Sequence, residues 1–393
     1  MRVLHFSRSF SPLYQTFVYD YVVELERQGV DNHVVTINRQ NTATRPFEKV
    51  YVIKAPGRSL LSRFYRRNLA LFTRRSISEV SWPTLRRRLR RAIAEISPDI
   101  IHAHFGYEAV LVAPNAVEAS IPLIATFYGY DVSQLPREMR WRKYYSQLWQ
   151  DLSGVTVLSQ TMRDEILRLG CPQSLVHVVR LGRSLDIPHK GTTHPIKRFV
   201  SVGRLVEKKG YMDVIHAFRR IITDYPDVRL DIVGGGGLRP QIESLIDQLG
   251  LRGHVSVHGP VSSEQTLQLM ANADAFVLCS KTAKNGDQEG TPAALIEAQS
   301  LGLPCVATTH AGIPEMIPPE NHRLLAGEGD IAGIAERLRW LICSPKTVVG
   351  DITLRGRSFV REKFDLVTQV SNLRSVYTNA LGIRCSHKCL VEP

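Results

Sequence analysis

Short apolar segments alternate with longer helix-like segments twice along this chain, and this alternation constrains its fold more than any other feature. Strand-like segments of the first series are residues 2–6, 33–37, 50–53, 100–104, 123–127 and 154–158. Those of the second series are residues 197–202, 229–233, 254–258, 275–279 and 304–308. Strands that are separated by helical connections pair in parallel, so the sequence predicts two parallel α/β sheets.

A segment rich in turn-forming residues separates the two series. Residues 184–196 contain two prolines, one glycine and several polar residues, and we interpret them as a linker. We therefore predict an N-terminal domain over residues 1–183 and a C-terminal domain over residues 197–364. Residues 353–382 are predicted to form terminal helices, and residues 383–393 a tail.

Composition predicts a soluble, cytoplasmic protein. Hydrophobic residues make up 44% and charged residues 22% of the chain, and no window approaches the eighteen consecutive apolar residues of a membrane-spanning helix. The first ten residues do not have the pattern of a secretory signal. The six cysteines are scattered, mostly within apolar runs, which indicates reduced core residues. Cys385 and Cys389 lack a second ligand pair for zinc.

Positive charge is concentrated in residues 58–91, which contain eleven arginines and one acid, Glu79. Apolar residues recur at helical spacing at its end: Leu85, Leu89, Ala92, Ile93 and Ile96. A basic amphipathic segment suits an anionic membrane surface, and a solvated basic helix is the alternative that remains open. Nucleic acid is not expected as a partner, because no stacking module or DNA-reading motif accompanies the arginines.

Residues 285–315, NGDQEGTPAALIEAQSLGLPCVATTHAGIPE, place two carboxylates around a turn that starts a helix. Pro292 suits the first helical position, Thr291 is then the expected N-cap, and Gly302 the left-handed end of the helix. Glu289 would precede the helix, near its unpaired amides, and Glu297 would lie inside it.

This segment resembles the E-x7-E signature of the family 4 retaining glycosyltransferases, which have the GT-B fold of two facing Rossmann-like domains. The resemblance implies that Glu289 and the amides of Gly290 and Thr291 grip the donor sugar. It implies that Glu297 accepts hydrogen bonds from the ribose of the nucleotide. It also implies that the last helix, about residues 365–382, crosses back to brace the first domain.

Residues 201–211, SVGRLVEKKGY, follow a predicted strand and resemble the G-R-L…K-G motif of that family. The resemblance implies that Arg204 and Lys209 neutralise the donor diphosphate; Lys208 competes for this role. Fixed cations stabilise the negative charge of a departing nucleoside diphosphate, and they replace a divalent metal in GT-B enzymes. No metal and no cofactor are therefore expected. The four glycines at 234–237, which include Gly235 and Gly236, are predicted to let the backbone approach the nucleotide.

Two histidines, His102 and His104, end the predicted strand 100–104, where ligands bind in doubly wound sheets. Each could orient an acceptor or act as a base, or be a hydrogen-bonded rim residue. Residues 125–131, ATFYGYD, resemble the H-G-x-D motif of the family, with Asp131 retained and Tyr128 in place of the histidine. Tyrosine still donates a hydrogen bond but is a poor base near neutral pH, so a histidine-dependent step is in question.

The segment from Phe10 to Phe17 resembles the P-x-x-S-E-T-F loop of exopolysaccharide-type glycosyltransferases, such as those of colanic acid synthesis, with Tyr14 and Gln15 at the Ser and Glu positions. The implied function is metal-independent, retaining transfer of a hexose from a nucleotide diphosphate sugar to a lipid-linked or growing saccharide. Peripheral contact with the inner membrane face through residues 58–91 is part of this hypothesis. The alternative is a catalytically idle scaffold that binds nucleotide or membrane within a polysaccharide assembly complex.

Overall fold

The computed structural model describes residues 1–12, 16–53, 82–185, 191 and 193–388. The chain divides into two compact units, which are described separately below. Unit 1 comprises Met1–Val157, Arg163–Val179 and Val367–Pro393, and unit 2 comprises Leu158–Met162 and Arg180–Leu366. The predicted linker, 184–196, lies within the span of unit 2 and in part outside the described residues.

Unit 1 contains a seven-stranded parallel sheet with the order β3-β2-β1-β4-β5-β6-β7. The strands are β1 (Arg2–Phe10), β2 (Asp31–Arg39), β3 (Val50–Val52), β4 (Ile100–His104), β5 (Leu123–Thr126), β6 (Gly154–Val157) and β7 (Val176–Val178). The chain adds β2 and β3 on one side of β1 and then adds β4 on the other side. The strand order therefore reverses between β1 and β4, and a ligand crevice is expected at the carboxyl ends of these strands.

The helices from the first half of the chain are α1 (Thr16–Arg27), α2 (Trp82–Ile96), α3 (Gly106–Glu118), α4 (Tyr130–Ser133), α5 (Met139–Asp151) and α6 (Gln160–Arg168). The predicted apolar stripe of α2 is buried: Leu85, Leu89, Ala92, Ile93 and Ile96. This helix packs on α3 and β2, and Arg86 Nε donates to the carbonyl of Leu111 at 3.1 Å. The apolar face of α2 is therefore part of the core of unit 1.

This packing argues against membrane contact through the apolar face of residues 85–91, because Leu85 and Leu89 are buried in the core of unit 1. The rest of the basic segment, 58–81, lies outside the described residues, and for that part membrane contact stays a prediction. Within the described part of the chain, no helix combines the length and apolar character that are needed to cross a membrane.

Unit 2 contains a six-stranded parallel sheet with the order β10-β9-β8-β11-β12-β13. Its strands are β8 (Arg198–Val202), β9 (Arg229–Val233), β10 (Val255–Gly259), β11 (Ala275–Leu278), β12 (Cys305–Thr308) and β13 (Leu325–Ala326). The order reverses between β8 and β11, so the ligand crevice of this sheet is expected at the carboxyl ends of that pair. The prediction of two parallel α/β sheets is confirmed.

The helices of unit 2 are α7 (Tyr211–Ile221), α8 (Arg239–Gln248), α9 (Ser263–Ala271), α10 (Ala293–Leu301), α11 (Ile331–Cys343) and α12 (Lys346–Lys363). The expected N-cap of α10 is wrong by one residue: Pro292, and not Thr291, occupies the cap, and the helix starts at Ala293. Proline at the cap has an extended backbone here, with ψ of 104°. The predicted end of α10 is confirmed, since Gly302 is left-handed with φ of 85°.

The last helix, α13 (Leu366–Lys388), belongs to unit 1 from Val367 onward. Its apolar residues Val370, Leu373 and Tyr377 are buried. The Tyr377 hydroxyl lies 2.6 Å from Nδ1 of His102, which is itself fully buried in β4. The C-terminal segment of the chain therefore completes the core of the N-terminal unit.

Candidate functional site

Two loops of unit 2 meet where the order of its strands reverses. One joins β8 to α7, and the other joins β11 to α10. Gly210 makes their contact possible: its φ is +68°, and a Cβ at this position would lie 1.8 Å from the carbonyl oxygen of Cys279. The N–H of Lys281 donates to the carbonyl of Lys208 at 2.9 Å, which ties the loops together.

Glu289 lies between two buried lysines in these loops. Its Oε2 forms an ion pair with Lys209 Nζ, and its Oε1 lies 3.8 Å from Lys208 Nζ. Lys208 also donates to Asp287 at 3.0 Å and to the carbonyl of Gln288 at 2.9 Å. Only 9% of Glu289, 8% of Lys209 and 5% of Lys208 is exposed. The structure thus brings together Glu289 and Lys209, two of the predicted site residues, and adds Lys208.

The electrostatics of this cluster favour charged groups despite their burial. Burial alone would raise the pKa of Glu289, but attraction by Lys209 and then by Lys208 outweighs it and holds the pKa at about 2. Burial lowers the pKa of Lys209, and the ion pair with Glu289 acts against that effect. The positive charges of Lys208 and Arg204 lower it further. Arg204 is exposed, so the loop after β8 presents a guanidinium outward and holds its lysines inside.

His310, which the sequence did not single out, fixes the backbone at Glu289. The N–H of Glu289 donates to Nε2 of His310 at 3.0 Å. Because that nitrogen accepts, the ring proton is on Nδ1, which donates to Glu328 at 2.6 Å. The other oxygen of Glu328 accepts from the N–H of Thr282 at 2.8 Å. These hydrogen bonds fix the loop between β11 and α10 at Thr282 and at Glu289. They thereby orient the amides that follow Glu289.

Gly290 and Thr291 connect Glu289 to the N-terminus of α10. Gly290 is buried and Thr291 half-buried. Counting only partners in the described ranges, neither of their N–H groups is hydrogen-bonded to another residue. Both amides are therefore available as donors beside a helix N-terminus, where negative charge is stabilised.

Glu297, the second acid of the E-x7-E segment, is held by an arginine from the far side of the predicted linker. Arg183 donates to its Oε1 from Nε at 3.1 Å and from Nη2 at 2.5 Å. The backbone of Arg183 is itself bonded to the carbonyl of Phe364 and the N–H of Leu366. Within the described part of the chain, Glu297 makes both hydrogen bonds through one oxygen, which leaves Oε2 for a further donor.

The glycine-rich turn after β9 packs on the Arg204 loop. A Cβ at Gly234 would lie 1.9 Å from the carbonyl oxygen of Gly203, and one at Gly236 would lie 2.4 Å from that of Leu205. The carbonyl of Gly235 accepts from the N–H of Leu205 at 2.9 Å. These glycines are thus needed for contact between two backbone segments of the protein. The predicted approach of Gly235 and Gly236 to a nucleotide stays a prediction.

In unit 1, Tyr128 begins a chain of buried hydrogen bonds that runs through the sheet. Its hydroxyl lies 2.8 Å from Nδ1 of His104, and Nε2 of His104 lies 3.2 Å from Nδ1 of His5. Nε2 of His5 lies 3.0 Å from Oδ1 of Asn32. The Nδ2 group of Asn32 faces three acceptors, including the carbonyls of Val30 and Val22.

The orientation of Asn32 fixes every proton in this chain. Its Oδ1 can only accept, so His5 is protonated on Nε2 and accepts at Nδ1. His104 must then be protonated on Nε2 and accept at Nδ1, so the Tyr128 hydroxyl donates to it. The donor capacity of Tyr128 is therefore used inside the protein, and toward a ligand its oxygen offers lone pairs. His104 is 1% exposed and is held between His5 and Tyr128.

His102 lies beside this chain but is not linked to it. Its ring nitrogens face Tyr377, as described above, and Oγ1 of Thr126 at 2.7 Å. Ring nitrogens of His5, His102 and His104 all lie within 4.8 Å of one another, a spacing that could hold a metal ion. Each of the six nitrogens already has a hydrogen-bond partner, so we interpret the cluster as a buried polar network. Burial lowers the pKa of all three histidines, that of His5 to about 4.

Asp131 has no atom to offer a substrate, because it is fully buried and both oxygens bind backbone. Oδ1 accepts from the N–H groups of Tyr128 at 2.9 Å and Gly129 at 3.0 Å, and Oδ2 accepts from Gly106 at 2.9 Å. Burial raises its pKa to about 6, against the effect of these bonds. The structure therefore gives Asp131 a positioning role: it joins the loop of Tyr128 to the start of α3.

Comparison with known proteins agrees with both units. Residues 15–187 match the model of Glycosyltransferase Family 4, and residues 187–349 that of Glycosyl transferases group 1. The amylovoran biosynthesis glycosyltransferase AmsK of Erwinia amylovora is 32% identical over 273 residues, which are 68% of this chain and 67% of that protein. The putative colanic acid biosynthesis glycosyltransferase WcaL of Escherichia coli (strain K12) is 30% identical over 275 residues, with the same coverage.

Solved structures support the fold. The crystal structure of Anabaena Alr3699/HepE in complex with UDP and glucose matches with a TM-score of 0.74 and 18% sequence identity, covering 96% of this chain and 99% of that one. At that identity the likeness shows architecture alone. Together with the family models and the relatives, these findings show that the chain belongs to the family 4 glycosyltransferases of the GT-B fold and is of their exopolysaccharide type.

Proposed function

We propose that the protein is a retaining, metal-independent glycosyltransferase that moves a hexose from a nucleotide diphosphate sugar to a lipid-linked or growing saccharide. The observation that carries this proposal is the cluster of Glu289, Lys208 and Lys209 at the strand-order reversal of unit 2, with Arg204 exposed on the same loop. A nucleotide-sugar donor is further supported by the Anabaena protein, whose structures contain UDP and glucose or UDP-glucose.

Cationic groups supply the chemistry that the leaving group needs. Cleavage of the glycosidic bond leaves negative charge on the nucleoside diphosphate, and fixed cations and amides stabilise it, each contributing ~10²–10³ in rate. Arg204 and Lys209 would hold the diphosphate, and the amides of Gly290 and Thr291 would add donors. Lewis-acid assistance by a metal would then be unnecessary.

The same cluster argues for a positioning role of Glu289. A carboxylate whose pKa is about 2, held by two lysines, is a weak base and a weak nucleophile. Glu289 would therefore orient hydroxyls of the donor sugar and not attack its anomeric carbon. Retention would then come from delivery of the acceptor on the face that the leaving group departs from. Glu297, oriented by Arg183, would accept from the ribose.

Donor cleavage is the test of this proposal. The purified protein would be incubated in chelator with UDP-, GDP-, ADP- and dTDP-sugars, and released nucleotide would be measured. Slow release from one donor is expected, falling by about a hundredfold or more in Arg204→Ala. Arg252→Ala is the matched control, because Arg252 is an exposed arginine of unit 2 that pairs with Asp247. Release that depends on a divalent cation would contradict metal independence.

The idle scaffold makes the opposite prediction: nucleotide would bind without any turnover, with or without saccharide acceptors. Anomeric configuration of the first isolated product, read by proton NMR, would test retention. A lipid-linked acceptor would place the reaction at the inner face of the membrane, and co-sedimentation with anionic vesicles tests that part separately.

A further inference from the structure

The turn that follows β12, residues 310–315, lies against the loop that carries Glu289. His310, the first residue of this turn, accepts from the N–H of Glu289 at 3.0 Å. Gly312 lies near the next residue of that loop, because a Cβ at Gly312 would be 3.5 Å from the carbonyl oxygen of Gly290. The 310–315 turn therefore contacts the proposed donor site at two consecutive residues, Glu289 and Gly290.

The last residue of the turn, Glu315, holds the start of α6, which belongs to unit 2 up to Met162. The first N–H groups of a helix have no partner inside the helix. Oε2 of Glu315 accepts from the N–H of Gln160 at 2.8 Å, and Oε1 accepts from the N–H of Thr161 at 2.9 Å. Oε1 also accepts from Oγ1 of Thr161 at 3.0 Å. Each oxygen meets donors at a helix N-terminus, so a carboxylate fits this place and a neutral amide does not.

Gly312 brings the start of α6 and the donor loop together. A Cβ at Gly312 would lie 2.9 Å from both Cβ and Oγ of Ser159, which is closer than side chains approach. Ser159 is 2% exposed, and its Oγ accepts from the N–H of Met162 at 3.1 Å. Gly312 thus lies between Ser159 and the carbonyl of Gly290, with no room for a side chain. The position of the α6 start therefore limits where Gly290 can lie.

The backbone of the turn is strained between these two contacts. Ala311 has a φ of +44°, a left-handed conformation that residues other than glycine rarely adopt. Such a conformation persists where the surroundings determine the backbone on both sides. Here His310 is fixed by its bond to Glu289 on one side, and Gly312 is fixed by Ser159 on the other.

We infer that Glu315 is a positioning residue of the donor site: it holds the start of α6 against the 310–315 turn and thereby fixes Gly290, so that the amides of Gly290 and Thr291 point at the diphosphate. Glu315 acts through Gly312 and does not itself touch the donor. The consequence for donor binding rests on the proposed function. The link from Glu315 to Gly290 does not, so the two can fail separately.

The affinities of the full chain for nucleoside diphosphates and for the corresponding monophosphates would be measured by calorimetric titration. In Glu315→Gln an amide nitrogen faces a donor, so the α6 start is released and Gly290 moves. Diphosphate affinity should fall about tenfold, because two donors to the charged phosphate are misdirected. Monophosphate affinity should stay near that of the wild type, since the amides beside Glu289 meet the phosphate that carries the sugar. General damage to unit 2 would weaken both ligands equally.

Glu320→Gln is the matched control, because it removes the same charge from an exposed position in the next short helix, Pro319–Leu324. It should change neither affinity.

Hydrogen–deuterium exchange, read by mass spectrometry without nucleotide, tests the link directly. Peptides that cover residues 286–295 should exchange faster in Glu315→Gln and in Gly312→Ala than in the wild type, because the bond from the N–H of Glu289 to His310 opens more often. Gly312→Ala also keeps the inference testable if Glu315→Gln does not fold. The double variant Gly312→Ala/Ser159→Gly should bring exchange back toward that of the wild type, since it makes room for the new methyl group.

Two results would overturn the inference: unchanged exchange in Glu315→Gln, or an equal loss of monophosphate and diphosphate affinity. Faster exchange in a protein whose wild type binds no nucleotide would remove the proposed function and leave the link. Nucleotide binding by the wild type with unchanged exchange in both variants would remove the link alone.

Discussion

Two residues of unit 2 show how a buried side chain can stay charged. Glu289 and Lys209 are each a poor choice for the interior, and together they satisfy one another at the base of the Arg204 loop. A buried pair of this kind contributes little net stability compared with apolar residues, but removal of one partner leaves an uncompensated charge. Its presence at a strand-order reversal fits the donor site proposed above.

Glu289→Gln should destabilise the protein by roughly 3–5 kcal/mol near neutral pH, because Lys209 then stays buried without its anion. The pKa of Glu289 is lower in the folded protein, about 2, than its ordinary value of 4.5. Its stabilising effect is therefore complete above that ordinary value and is lost as the pH falls toward 2. Urea unfolding of both proteins across this range would show the difference shrinking on acidification. The double variant Glu289→Gln/Lys209→Met should recover most of the lost free energy of unfolding. A difference in stability between the wild type and Glu289→Gln that does not change with pH would contradict the ion pair.

The effects of Arg183 and Glu297 on nucleotide binding should not be additive. Glu297→Ala removes the proposed ribose acceptor, and Arg183→Ala removes the group that orients it; each should weaken nucleoside diphosphate binding by roughly ten- to a hundredfold. Calorimetric titration would measure this, with the double variant no weaker than either single one. Glu243→Ala, which breaks an exposed pair with Arg239, is the control. Unchanged affinity in Glu297→Ala would remove Glu297 from the site.

Turnover should depend more on Arg204 than on Glu297, because the leaving group gains its charge in the transition state.

At the scale of elements, the glycine-rich turn after β9 and the Arg204 loop of unit 2 must approach each other closely. Gly236 and Gly237 distinguish a glycine that is needed for this contact from one that could only add backbone flexibility. A Cβ at Gly236 would overlap the backbone of Leu205, whereas one at Gly237 meets nothing within 4 Å. Gly236→Ala should therefore displace the Arg204 loop at a cost of about 1–3 kcal/mol and weaken nucleotide binding. Gly237→Ala should leave both properties near wild type. Equal behaviour of the two variants in thermal unfolding and nucleotide titration would contradict the packing role.

The hydrogen-bond chain through β1, β4 and β2 predicts histidine tautomers. Side-chain ¹⁵N NMR should show His5 and His104 neutral and protonated on Nε2, and His5 should remain so well below the ordinary histidine pKa because burial lowers its own to about 4. Tyr128→Phe should leave both tautomers unchanged, since Asn32 sets the direction from the opposite end. A proton on Nδ1 of His104 in the wild type would reverse the chain, and Tyr128 could then donate to a ligand.

Sequence periodicity predicted most strands because a buried strand is specified by its own run of apolar residues; α3, α5 and α6 were not predicted individually. The two strands that were not predicted are β7, with three residues, and β13, with two. Local motifs likewise located Glu289 and Lys209. His5 and Arg183 were missed because their partners are distant in the chain: His5 and His104 are 99 residues apart, and Arg183 and Glu297 are 114 apart. His310 was missed although Glu289 is only 21 residues away, because no local motif marked it. His5 carried a usable signal, as a polar residue between the apolar residues Val3-Leu4 and Phe6 of a predicted strand.

For the whole molecule, the two units have separate cores but are not two successive pieces of chain. Unit 1 begins the sequence and also ends it, because residues from Val367 onward return to it. Unit 2 is otherwise continuous from Arg180 to Leu366 and contains the whole proposed donor site. Damage to the C-terminus should therefore affect the N-terminal unit and spare nucleotide binding.

Removal of the chain from Val367 onward tests this division. The truncation removes the buried side chains of Val370, Leu373 and Tyr377 from unit 1 and leaves His102 without its tyrosine. We expect the thermal transition of unit 1 to shift strongly downward, while nucleoside diphosphate still binds and stabilises unit 2. Tyr377→Phe is a smaller change, because it keeps the ring and removes only the hydrogen bond to His102. It should lower the free energy of unfolding of unit 1 alone by about 1–3 kcal/mol. In a Trp340→Phe background, which removes the tryptophan of unit 2, the buried Trp141 and Trp149 report the unfolding of unit 1 by fluorescence, and bound nucleotide reports unit 2. Loss of nucleotide binding in step with the tryptophan signal would show that the units unfold as one.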